Sequence, residues 1–106
     1  MRAEWNEQGF LLVRGFLDDS DVRAITDALD RAWTHPTSAL VVDDLMTGRR
    51  LRAIDVAPED RAHHFKVNDL YLESDDVRRV CLSARVGDVL SELLGDAPVL
   101  VNTLSL

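Results

Sequence analysis

Apolar and polar positions alternate along the chain in blocks that change period several times. Met1 to Gln8 reads as a short helix stopped by Gly9. Phe10-Leu11-Leu12-Val13-Arg14 is a compact apolar run closed by Gly15, and its length and flanking glycines predict a buried strand. Asp18-Asp19-Ser20-Asp21 can cap a helix and complement its positive end. Val22, Ile25, Leu29, Ala32 and Trp33 then recur at helical spacing, with Asp27, Asp30 and Arg31 on the other side. This predicts an amphipathic helix over Asp19 to Trp33, closed by His35-Pro36, because the residue before proline is driven out of the helical region.

Ala39 to Val42 is a strand candidate; the Asp43-Asp44 carboxylates after it could bind a hard cation, but a solvated hairpin tip is the expected reading. Gly48 and Arg49 suggest a turn, and Leu51 to Val56 reads as the returning strand. Pro58 suits the first turn of a short helix through Arg61 and Ala62. Phe65 to Leu72 fits either a helical turn or an extended stretch. Ser74 reads as an N-cap ahead of Val77, Val80 and Cys81. Val86, Val89, Leu90, Leu93 and Leu94 form a further helical stripe ended by Gly95. From Val99 to Leu106 the period is two: Leu100, Asn102, Leu104 and Leu106 share one face of an expected strand. Such an apolar strand needs neighbours, and few strands are in sight to supply them. The natural polypeptide is therefore expected to continue past Leu106.

With 106 residues this is one domain or part of one. Twelve basic against nineteen acidic side chains leave a net charge of −7, so a phosphate field would repel the chain; neither nucleic acid nor an anionic membrane is an expected partner. No apolar run approaches the ~18 residues of a membrane span, and the N-terminus lacks a signal-peptide core, so a cytoplasmic protein is expected. A lone cysteine, Cys81, excludes an internal disulfide and a cysteine-based zinc site.

The titratable candidates are few. His63 and His64 are adjacent, so they diverge in either regular structure and suit a single metal poorly; a solvated loop pair is expected. His35 reads as a helix-terminus residue and Cys81 as a small buried hydrophobe. No His-x-Asp, His-x-Glu or phosphate-loop pattern is present. Lys66-Val67-Asn68-Asp69-Leu70-Tyr71 gathers the only lysine and the only tyrosine with an amide and a carboxylate. A lysine's compact cation suits a small carboxylate ligand. A polar loop anchored by Phe65, Leu70 and Tyr71 accounts for the same residues.

Two long stretches, "WNEQGFLLVRGFLDDSDVRAITDALDRA" and "HHFKVNDLYLESDDVRRVCLSARVGDVLSELLGDAPVLVNTLSL", follow each other in an order that resembles the phytanoyl-CoA dioxygenase family of non-haem iron(II)/2-oxoglutarate oxygenases. The resemblance covers most of the chain. It implies an α+β arrangement in which residues 1–106 form the N-terminal helices and first strands of a double-stranded β-helix, or jelly roll. It also implies a small-molecule substrate hydroxylated as 2-oxoglutarate is decarboxylated to succinate. Family members hold iron with a His-x-Asp/Glu pair and a distal histidine. Neither is present in these residues, so the chain alone is expected to be inactive.

Two residues carry over from the resemblance as cofactor-binding positions. Lys66 falls where some members place a lysine near the 2-oxoglutarate pocket. Asn102 lies on the strand leading toward the metal motif, where it would line the barrel mouth or contact the cosubstrate, or else be a satisfied buried amide. The alternative reading is a small acidic α+β interaction module without catalysis. A third is a strand-exchanged oligomer, in which a second copy supplies the missing strands.

Overall fold

The computed structural model describes all 106 residues. Helix α1 (Arg2–Gln8) ends at Gly9, whose φ of 76° is the left-handed turn that releases the chain. Helix α2 (Asp19–Thr34) begins where the Asp18 carboxylate accepts from the Asp21 N–H, and it stops at His35 ahead of Pro36. Strand β1 (Val41–Asp44) turns back through Gly48 into β2 (Arg50–Arg52), and a 3-10 turn over Ala53–Asp55 follows. Strand β3 (Phe65–Asn68) leads through Asp69 into the single-turn helix α3 (Leu70–Glu73). Helices α4 (Asp75–Cys81) and α5 (Ala84–Leu94) are capped by the hydroxyls of Ser74 and Ser83, and β4 (Leu104–Ser105) comes last.

The four strands make one antiparallel sheet in the order β2-β1-β3-β4. The α+β class is thus realised, with five helices and a single sheet. Register sorts the side chains by face, because directly opposed residues point the same way. Val42 opposes Leu51 and Val67, and Asp44 opposes Phe65, so these line the core face. Asp43 opposes Arg50 and Lys66, and Asn68 opposes Val41 and Leu104, so these line the polar face. Small residues let α2 approach the core: Ala28 and Ala32 join Leu40, Val42, Ala53, Val67, Leu70 and Val77 in one cluster, with Trp33 and Phe65 against it. Their rings lie 5.1 Å apart.

That core is thin. Twelve residues are buried, and the accessible surface is 7357 Å². A globule of 11.9 kDa is expected to expose about 5,900 Å². The radius of gyration is 16.0 Å, where a compact domain of this length reaches about 13 Å. Roughly 1,400 Å² of surface therefore lies beyond what a self-contained domain leaves open.

Several expectations are corrected. Phe10 to Arg14 is not a strand: no strand pairs with it, Phe10 and Leu12 stay exposed, and Leu11, Val13 and Phe16 instead rest toward Val86, Val89 and Leu90 of α5. Strand formation needs a partner ladder, which an apolar run cannot provide for itself. Asp43-Asp44 is not a hairpin tip but the second half of β1, because pairing with β3 carries the strand two residues further before it turns. The returning strand ends at Arg52 rather than Val56. Of Val99 to Leu106, only Leu104 and Ser105 are paired. Phe65 to Leu72 divides into a strand and a helical turn, hinged at Asp69 with φ 53°.

Candidate functional site

The polar face of the sheet is organised by one carboxylate. Asp43 Oδ1 accepts from Arg50 Nε at 2.7 Å, and Oδ2 accepts from Arg50 Nη2 at 3.1 Å and Asn68 Nδ2 at 3.2 Å. Lys66 Nζ lies 2.9 Å from the same Oδ2. Cross-strand register produces this convergence, since Asp43 in β1 stands between Arg50 in β2 and Lys66 in β3. Arg50's guanidinium, then the Lys66 ammonium and the Asn68 amide, hold the Asp43 carboxyl well below the usual carboxylate range. The guanidinium of Arg50 is raised in turn by its bond to Asp43.

Two cations, Arg50 and Lys66, meet on the one Asp43 carboxylate, and Asp69 acts on Arg50 through space. An ammonium has three donors, and Asp43 takes one of those on Lys66. The arrangement can therefore position Lys66 rigidly and present its remaining N–H groups to an anion. Arg52 adds little to this field, because Asp55 closes on it at 2.8 Å.

Asn102 is not part of the cluster. It is exposed, so the buried-amide alternative does not hold. Continuing the β3–β4 register sets Asn102 about 13 Å along the sheet from the place opposite Lys66. Neither the expected strand nor the expected burial forms at this position, because the backbone joins the ladder only from Thr103, which accepts from the Asp69 N–H at 2.8 Å.

A second polar group sits at the end of β1. Asp44 is almost fully buried, at 5% exposure. Its Oδ1 accepts from the N–H groups of Met46 and Thr47, and His63 Nδ1 lies 2.8 Å from its Oδ2. His63 is therefore half-buried and bonded, correcting the expected solvated pair; His64 is exposed as expected. The His63 bond holds Asp44 down to about 2 and raises His63 itself. The other ring nitrogen of His63 faces Asp60 at 3.8 Å. With carboxylates facing both nitrogens, the imidazole ties the end of β1 to the loop before β3.

No three His, Cys, Asp or Glu side chains converge to hold a metal ion, so these residues do not fit iron. The largest cleft, about 400 Å³, lies between α2 and the α3–α4 turn, away from Lys66. Its floor is Ala28, Ala32 and Leu40, and its acidic rim is already engaged: Thr37 donates to Glu73 at 2.7 Å and Arg31 lies 3.7 Å from Asp76.

The sequence does not by itself reveal the bond of Asp43 to Arg50 or of Asp44 to His63. One signal existed for the first: Asp43 and Arg50 flank the Gly48 turn with opposite charges, as a hairpin pair would.

Fold and site define a small α+β unit whose antiparallel sheet carries a lysine-centred polar face. No helix is long and apolar enough to cross a membrane. Comparison with protein-family models, curated proteins and solved structures gives no match.

Proposed function

We propose that the chain forms the N-terminal part of an iron(II)/2-oxoglutarate-dependent oxygenase of the phytanoyl-CoA dioxygenase type, hydroxylating a small organic substrate while 2-oxoglutarate is decarboxylated to succinate. The observation that supports this reading is the unfinished sheet. Its helices gather on the core face, its polar face bears a fixed Lys66, and its β4 edge is unpaired. In a jelly roll each such strand finds further partners in the double sheet. The 2.9 Å contact with Asp43 holds the Lys66 ammonium in place for the far carboxylate of 2-oxoglutarate, and Asn102 lines the mouth of the barrel. On this reading the iron ligands are supplied from outside residues 1–106.

The test is Lys66→Ala in a protein extended through an iron-bearing region. The 2-oxoglutarate concentration needed for turnover should rise while iron binding is retained. Unchanged 2-oxoglutarate dependence removes Lys66 from the site, and failure of the extended parent to form succinate from 2-oxoglutarate defeats the reading. A second reading, a non-catalytic acidic interaction module, draws on the roughly 1,400 Å² of surplus surface.

A further inference from the structure

The cleft beside α2 owes its shape to two alanines. Ala28 and Ala32 stand one helical turn apart on α2, where methyl groups take the place of larger side chains. With Leu40 and Leu70 they floor a hollow of about 400 Å³ against the α3–α4 turn. All four are buried, so the floor is apolar. The volume falls within the ~300–1,000 Å³ of small-molecule sites. Residues 28–40 and 70–76 alone border it, and none of them belongs to β4.

The rim is charged on both sides, and most of its charges are matched. Asp75 accepts from Arg78 at 2.8 Å, and Asp76 stands between Arg31 at 3.7 Å and Arg79 at 3.9 Å. His35 shares its Nδ1 with the Thr34 hydroxyl at 3.0 Å. Glu73 differs, because no basic side chain lies within ion-pair distance of it. Its one side-chain partner is neutral: Thr37 Oγ1 donates to Oε2 at 2.7 Å. That bond anchors the carboxylate at the mouth of the cleft and leaves Oε1 free to accept.

We propose that this cleft binds a primary aliphatic ammonium ion, its cationic head on Glu73 and its hydrocarbon over Ala28, Ala32 and Leu40. Charge complementarity selects that occupant. An anion would meet Glu73 and Asp76 at the rim, and a neutral hydrocarbon would leave Glu73 without a counter-ion. An ammonium brings three donors to a carboxylate with acceptor capacity to spare, and its short chain covers a floor of matching polarity. The proposal goes beyond the oxygenase reading, because the cleft lies away from Lys66 and binding there is read without 2-oxoglutarate turnover.

The test is an NMR titration of the isotope-labelled 106-residue chain with n-butylammonium chloride at constant ionic strength. Amide shifts should saturate in the millimolar range, as befits so small a probe, and should concentrate on Ala28 to Ala32 and Glu73 to Asp76. n-Butanoate, the same chain with the opposite charge, should leave these amides unmoved. Glu73 is exposed, and Glu73→Gln keeps a carbonyl for Thr37, so the fold is spared while the charge is lost. Butylammonium should then bind about tenfold more weakly, the worth of roughly one charge-assisted hydrogen bond. Asp88→Asn removes the same charge from an exposed position on α5 and should change nothing. Shifts that do not saturate or that fall elsewhere, equal shifts with butanoate, or an unchanged affinity in Glu73→Gln overturns the proposal.

Discussion

Val42 is the only large side chain with no exposure at all, and it sits in a central strand between Leu51 and Val67. Val42→Ala removes two methyl groups from this position. The transfer loss is about 0.8 kcal/mol for each, or about 1.6 kcal/mol together. Two strands and α2 surround the void and cannot collapse fully into it, so a cavity contribution brings the expected loss to about 2–3 kcal/mol. For a chain with twelve buried residues that is a large share of the total, which for small domains is about 5–15 kcal/mol. Urea unfolding followed by tryptophan fluorescence measures it, since Trp33 packs on Phe65 at the same core. With an m-value of about 1.5 kcal/mol/M, the midpoint should fall by roughly 1.3–2 M at unchanged slope. Protein concentration is held constant between variants, because association adds to apparent stability. Val41→Ala, one residue away on the other face, is the control and should cost much less. A Val42→Ala loss below about 0.5 kcal/mol, or one equal to the control, refutes the placement of the core on this face of β1.

Other outcomes follow from the same geometry. The Asp44–His63 cross-link makes stability depend on pH in a definite direction. Asp44 is lowered from 3.8 to about 2, so its contribution is present above about pH 4 and lost as pH falls through about 2. His63 is raised above 6.5, so its contribution is complete below pH 6.5 and lost as pH rises through the raised value. The gap in Tm between the parent and His63→Gln should therefore peak between about pH 4 and 6.5 and shrink toward pH 8; a gap independent of pH contradicts the ion pair. Burial pushes the Cys81 thiol up. Iodoacetamide at pH 8 should thus alkylate the folded chain far more slowly than the urea-unfolded one, and equal rates would show that α4 does not shield it.

Helices were legible because their signals are local. The caps Asp18 and Ser74 and the stripes of α2, α4 and α5 lie within a few residues of what they control. Strands depended on partners far away in sequence. Phe10 to Arg14 has the composition of a strand but no ladder to join, and Val99 to Asn102 likewise stays outside the sheet. The polar cluster was half visible: Lys66 stood out as a unique residue, whereas its holder Asp43 looked like turn material. Only the β1–β3 register, which joins residues more than twenty positions apart, reveals that Asp43 faces Lys66. Asn102 was placed by extending a period-two pattern further than the backbone pairing goes.

The contrast between the arginine-lined β2 edge and the bare β4 edge sets a limit on assembly. A sheet with two sticky margins can recruit copies without end and grow into a fibre. Here only one margin is receptive, because Arg50 and Arg52 guard the other. Open-ended stacking needs two such margins, so an uncharged, aliphatic one on a single side does not by itself commit the sheet to amyloid.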